Sequence, residues 1–269
     1  MADPGSPMTV EGLRSDWAGG SATLGGWVVG SDPLIAEHLA RCGFDEVTID
    51  LQHGTSDFRD IALLCAAITR GGAVPLVRVP RAEPVTIGRC LDLGAAGVIV
   101  AMVGSAEEAA ATVDACRYAP EGSRSIGPVR AQWTMDSGPL SDPLATERLA
   151  AVVCMPMVET ADGLANVAEI AATPGIDGVY VGPGDLALAM GLPLPGGRTA
   201  EQQQRLDVAI DSVVAACDAA GVTAGIQGVG GASAAAWVRR GFRMVTVTAD
   251  VSLVAGGRRE LEVARSASS

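Results

Sequence analysis

Short apolar runs rich in β-branched residues recur along the chain at 26–29, 46–51, 74–79, 97–102, 151–158, 178–181, 223–227 and 244–248. Each has the length of a strand, and runs that are continuously apolar rather than alternating mark a parallel sheet covered on both faces. Between them, apolar residues return at helical spacing over 33–42, 58–70, 85–93, 106–117, 162–172, 202–220 and 232–240. Gly43, Gly71, Gly94, Gly221 and Gly241 follow five of these segments, where a left-handed residue ends a helix. Eight strands alternating with helices predict a (β/α)8 TIM barrel, an α/β single domain over residues 19–264. Residues 1–18, which open on Met1-Ala2-Asp3-Pro4-Gly5-Ser6-Pro7, and the tail 265–269 are expected to be disordered. Two connections, 118–144 and 191–198, are longer than a barrel needs, and both are expected to cover a site.

Composition narrows the partners. Of 269 residues, 48% are hydrophobic but only 3% aromatic, so the core is built of Ala, Val, Leu and Gly and offers no stacking surface for nucleic acid. A net charge of −12 also disfavours nucleic acid and anionic membranes. No apolar stretch approaches the ~20 residues that span a bilayer, and the N-terminus lacks the basic start and apolar core of a signal peptide. The six cysteines, at 42, 65, 90, 116, 154 and 217, show no metal or redox spacing. They read as small buried hydrophobes in a reducing, cytoplasmic setting.

Candidate chemistry lies where the predicted strands end, the edge at which parallel α/β proteins bind ligands. The second strand ends Ile49-Asp50-Leu51-Gln52-His53-Gly54 and the third ends Val77-Arg78-Val79-Pro80. The fifth runs into Glu159, and the sixth into Gly182-Pro183-Gly184-Asp185. Charged groups at a barrel mouth are costly unless partnered, so four such ends are informative. If the fifth and sixth strands are neighbours, Glu159 and Asp185 can meet on one divalent cation. Asp50, three residues before His53, could hold one imidazole nitrogen and raise the basicity of the other. Arg78, embedded among apolar residues, calls for a carboxylate or oxyanion partner. His38, inside a helical pattern, reads as structural. No glycine-rich phosphate loop or Walker sequence is present.

The segments 44–54, 75–80, 117–124, 157–160 and 177–186, which carry these residues, resemble in order and spacing the HpcH/HpaI aldolase family, over roughly residues 20–260. That resemblance implies a metal-dependent (class II) pyruvate aldolase that joins a 2-oxo acid enolate reversibly to an aldehyde. It implies Glu159 and Asp185 as ligands of Mg²⁺, Mn²⁺ or Co²⁺, and His53 as the base at C3 of pyruvate, acting through a water. Asp50 and Asp92 would tune His53, Arg78 would stabilise the enolate oxygen, and the backbone N–H groups of Gly184 and Asp185 would hold the carboxylate. Members assemble as hexamers, trimers of dimers, through a swapped C-terminal helix, here 251–264.

Three departures bear on the substrate rather than the reaction. Gln52 stands where many members carry Glu, Met157 where a substrate-binding Gln is common, and Arg124-Ser125-Ile126-Gly127-Pro128 replaces the usual Arg-Gly-x-Gly. The alternatives within the superfamily are a CoA-ester lyase and an enolate-forming decarboxylase. The chain lacks an evident basic cluster for the CoA phosphates. A non-catalytic barrel is disfavoured by the intact set His53, Arg78, Glu159 and Asp185.

Overall fold

In the computed structural model, which describes residues 7–266, the eight apolar runs form parallel strands closed into a barrel in sequence order. They are β1 Thr23–Val28, β2 Glu46–Asp50, β3 Val74–Val79, β4 Gly97–Val100, β5 Val153–Val158, β6 Gly178–Val181, β7 Thr223–Gln227 and β8 Met244–Ala249. The first helices are α1 Val10–Ala18, α2 Pro33–Arg41, α3 Phe58–Gly71, α4 Pro84–Asp92 and α5 Ala106–Cys116. Next come α6 Ala131–Thr134, α7 Ala145–Ala150, α8 Ala161–Ala165, α9 Val167–Ala171 and α10 Pro183–Ala189. The last three are α11 Ala200–Ala220, α12 Gly231–Arg239 and α13 Ser252–Ser266. No described helix is long and apolar enough to cross a membrane.

Local chemistry fixes the ends of these elements. Asp57 and Asp60 form a reciprocal capping box at the start of α3. The left-handed stop after α3 is Gly72 (φ 96°) rather than Gly71. Gly71 serves a different need: a Cβ there would lie 2.4 Å from that of Ala40, so its absence lets α2 and α3 approach closely. The helix predicted over 162–172 is two short ones that meet at Asn166, whose side-chain amide donates to the Gly104 carbonyl at 2.8 Å.

Outward strand residues such as Val47, Ile49, Val77, Val79, Val179 and Val181 pack against the helices in one continuous apolar shell. Inward residues divide by strand. Below the mouth, from β3 to β5, they are apolar: Val74, Leu76, Ile99, Val153, Met155 and Met157. Across the barrel the interior is polar, with Thr48, Thr246 and a Tyr180 hydroxyl 2.6 Å from Thr246 Oγ1. Glu46, the first residue of β2, also points inward. It is 1% exposed, and neither carboxyl oxygen has a hydrogen-bond partner. Burial, reinforced by the neighbouring Asp45 charge and only partly offset by the nearby Thr23 hydroxyl, pushes its carboxyl up to about 8.

The expectation of disorder over 1–18 is corrected for residues 10–18; residues 1–6 lie outside the described residues. Val10, Leu13 and Trp17 recur at helical spacing on α1 and are buried in the same cluster as the barrel interior. Thr9 caps the helix. Arg14 fastens it to the starts of β5 and β6, with Nε 2.6 Å from Asp177 Oδ1 and its other nitrogens on the carbonyls of Ala151 and Val152. The helix closes the N-terminal end of the barrel. At the other terminus Arg265 belongs to α13, not to a disordered tail, while 267–269 lie outside the described residues. The described side chains of α13 are nearly all exposed.

Candidate active site

Asp50 ends β2 directly opposite Arg78 of β3 in the parallel register. Arg78 Nε donates to Asp50 Oδ1 at 3.0 Å and Nη2 to Oδ2 at 2.5 Å, a two-pronged clamp of the kind a planar guanidinium favours. Trp27, near the end of β1, donates its indole N–H to Asp50 Oδ2 at 3.2 Å, and its ring centroid lies 5.0 Å from the guanidinium carbon. The backbone N–H groups of Gln52 and His53 donate to Asp50 Oδ1 at 3.0 and 3.1 Å. Burial by itself would raise the Asp50 carboxyl, but Arg78, the His53 amide and the Trp27 indole together hold it below its ordinary value.

The expected contact between Asp50 and the His53 imidazole is therefore corrected. The carboxylate grips the His53 backbone, because its lone pairs are taken by Arg78, Trp27 and two amides. The ring is exposed at the mouth. Trp27 is absent from the sequence-derived site. Its signal is positional: a tryptophan at the end of the first apolar run, in a chain with four, two residues from an inward Gly25.

Glu159 follows β5 and Gly182 follows β6; these strands are hydrogen-bonded neighbours, with Val158 opposite Val181. Glu159 is 2% exposed, and its Oε1 accepts the Met102 N–H at 2.9 Å. Met102 holds a left-handed backbone (φ 61°) to aim that N–H, a conformation costing about 1–2 kcal/mol for a residue with a side chain. A Cβ on Gly182 would sit 2.4 Å from Glu159 Oε2, so the glycine keeps clear the space into which that oxygen faces. Burial pushes the Glu159 carboxyl up to about 7; Asp185 and Asp50 add to the rise, while the Met102 N–H and Arg78 oppose it. Asp50 and Arg78 at the ends of β2 and β3, Glu159 after β5 and Asp185 in the turn after β6 all stand at the C-terminal end of the barrel.

Asp185 lies in the first turn of α10, exposed beside the buried Glu159. Gly184 precedes it in the same turn, where amides have no intrahelical acceptor. Met157 is buried two residues below Glu159 and forms part of the apolar floor. Gln52 places a buried carbonyl oxygen with no partner next to His53.

Asp92 is not brought to His53 within the chain. It ends α4, at the N-terminal end of the strands, and pairs with Arg124 at 2.9 Å. The segment 118–144 is likewise at that end, because it links the last turn of α5 to the start of β5. Within one chain it lies away from the mouth and does not cover the site.

Among the described residues, no group of three or more His, Cys, Asp or Glu side chains could hold a metal. The mouth offers a cation two carboxylates, one buried and carrying an unfavourable charge. That donor set suits a hard divalent ion completed by water and substrate oxygens.

The model of the HpcH/HpaI aldolase/citrate lyase family matches residues 23–256. A hydroxypyruvate/pyruvate aldolase of Rhizorhabdus wittichii is 38% identical over 250 residues, 93% of this chain and 96% of that protein. A 2-dehydro-3,6-dideoxy-6-sulfogluconate aldolase of Pseudomonas putida is 34% identical, covering 91% of this chain and 92% of its own length. The crystal structure of an HpcH/HpaI aldolase/citrate lyase family protein from Burkholderia cenocepacia superposes with a TM-score of 0.83 at 32% identity, covering 94% and 98% of the two chains. With the barrel and the strand-end residues as described, this chain belongs to the HpcH/HpaI aldolase/citrate lyase family.

Proposed function

We propose that the chain is a divalent-metal-dependent aldolase that joins pyruvate, or a related 2-oxo acid, reversibly to an aldehyde. The observation that carries this reading is the convergence of a buried carboxylate, Glu159, with a clamped guanidinium, Arg78, at one barrel mouth. Glu159 and Asp185 would hold a divalent ion, Mg²⁺, Mn²⁺ or Co²⁺, which when bound would supply Lewis acidity at the 2-oxo group. Glu159, raised by burial, is the side chain whose charged form such an ion stabilises most.

The remaining work belongs to side chains. His53 takes the C3 proton. Arg78, fixed by Asp50 and Trp27, faces the oxygen on which negative charge develops as that proton leaves, and a preorganised donor there contributes to the rate without reorganisation. The Gly184 and Asp185 amides orient the substrate carboxylate. Carbon C3 then bonds to the aldehyde carbon, whose oxygen takes up a proton to become the 4-hydroxyl; no oxidant or reductant is consumed. The exposed α13 supports assembly of several copies, in line with a swapped terminal helix.

The test is exchange of pyruvate methyl protons with D₂O, followed by NMR with a panel of divalent metals. Glu159→Ala and Asp185→Ala are each expected to lose both metal binding and exchange. His53→Ala is expected to keep the metal and lose at least 100-fold in exchange, within the usual range for a removed general base. Wild-type exchange in both carboxylate variants would overturn the assignment.

A further inference from the structure

His53 stands on the turn between β2 and α3, and that turn is held from two sides. On the barrel side Asp50 accepts the Gln52 and His53 amides. The outer side leans on the segment that follows β1. The Thr55 N–H donates to the Val29 carbonyl at 2.8 Å, and the Ser56 hydroxyl donates to the Gly30 carbonyl at 3.0 Å. Gly54 lets the two segments meet, since a Cβ there would lie 2.8 Å from the Val29 carbonyl oxygen. The place of the imidazole therefore depends on where Val29 and Gly30 are held.

Those two residues lie beyond the regular sheet. The parallel ladder between β1 and β8 ends at Trp27 opposite Ala249, after a register shift between Gly25 and Gly26. Past that pair the Asp250 side chain takes over from the strand. Its Oδ2 accepts the Gly30 N–H at 2.8 Å, and both carboxylate oxygens lie 3.1 Å from the Val29 nitrogen. Oδ1 also accepts the Val251 N–H at 2.7 Å, while the Asp250 N–H donates to the Trp27 carbonyl at 2.9 Å. The carboxylate fits closely: a Cβ on Gly30 would come within 3.1 Å of Oδ2. An ionised acceptor shared by three amides holds backbone more firmly than a neutral one would.

We propose that Asp250 is a positioning residue for His53. It holds Val29 and Gly30, these hold Thr55 and Ser56, and so the turn that presents the imidazole keeps its place. The role rests on the reading of His53 as the base of the aldolase reaction. Arg78, Glu159 and Asp185 are placed from β3, β5 and α10, so loosening the segment after β1 leaves them where they are. The loss falls on proton removal and spares metal and pyruvate binding. A reacting group misplaced by about 1 Å costs up to about 100-fold in rate.

The chain has two histidines, His38 and His53, so one ring signal reports the turn and the other serves as an internal reference. Wild type, Asp250→Asn and Ser56→Ala, each loaded with Mg²⁺, are compared by histidine-ring NMR and by pyruvate proton exchange. In Asp250→Asn the His53 signal is expected to move and that of His38 to stay. Its kcat for exchange should fall at least about tenfold, with KM for pyruvate and Kd for the metal changed less than about threefold. Ser56→Ala, which keeps the carboxylate and cuts one link, should move the same signal and lower kcat about threefold. In the double variant Ser56→Ala should add less than it does alone, because both changes act on one chain of contacts. A His53 signal unmoved in both variants, or a loss in KM or metal affinity instead of kcat, overturns the positioning role. If Asp250→Asn does not fold, Ser56→Ala decides by the same readouts. Wild-type protein that exchanges no pyruvate protons with any divalent metal overturns the aldolase reading instead, and the ring signals still test whether Asp250 places His53.

Discussion

Replacing Glu46 by glutamine should make the protein more stable at neutral pH, by an amount that grows with pH. The carboxyl is buried in the barrel without a hydrogen-bond partner, and burial pushes it from 4.5 up to about 8. The native state therefore binds a proton that the unfolded chain releases near pH 4.5. Stability is fully present below that value and is lost as pH rises toward 8. At about 1.4 kcal/mol per tenfold change in proton affinity, the loss is about 2 kcal/mol at pH 6, about 3 at pH 7 and about 4 at pH 8. Glutamine has nearly the same shape and does not titrate. Urea unfolding of both proteins, followed by tryptophan fluorescence at pH 5, 6, 7 and 8, isolates the effect in their difference, since other groups titrate equally in both. The gap should widen by roughly 1 kcal/mol per pH unit between pH 6 and 8. A gap that stays constant over that range would show that Glu46 is not held neutral in the folded barrel.

Asp50→Asn removes the charge that clamps Arg78. Pyruvate proton exchange should fall by about 100-fold, a loss typical of a displaced catalytic donor, with metal affinity by calorimetry changed less than threefold. An equal loss in both would place Asp50 in metal binding instead. Gly182→Ala forces its methyl against Glu159 Oε2, 2.4 Å away, and should weaken metal binding at least tenfold while the far-ultraviolet circular dichroism stays native; unchanged affinity would mean that the carboxylate has room to turn. Leu13→Ala empties a fully buried position under the barrel and should cost about 2–5 kcal/mol in denaturant unfolding, whereas a loss below 1 kcal/mol would show that α1 does not carry the barrel floor.

The strands were legible because parallel strands covered on both faces leave long apolar runs, and their C-terminal ends pointed to the site without any knowledge of contacts. Adjacency of Glu159 and Asp185 likewise followed from strands adjacent in sequence being adjacent in the barrel. Pairing was harder to read. Asp50 lies close to His53 in sequence and was matched to its ring, but a register pairing across strands sets it against Arg78, with Trp27 as a third partner from β1. Asp92 was tied to His53 by the resemblance alone, and its place at the end of α4, paired with Arg124, puts it at the far end of the barrel from the His53 of the same chain. In α1, a short polar stretch hid three apolar residues whose helical spacing acquires meaning only when there is an open barrel end to fill.

That filled end has a consequence for how this protein can change. With α1 sealing the N-terminal end and Arg14 bolting it to β5 and β6, the residues that hold the barrel shut never meet a substrate. The loops at the opposite end, where the strands run into Asp50, Arg78 and Glu159, in turn contribute little to that seal. Selection for a new aldehyde can therefore act at one end of the molecule while the other end keeps the fold, so substrate range and thermal tolerance can drift independently.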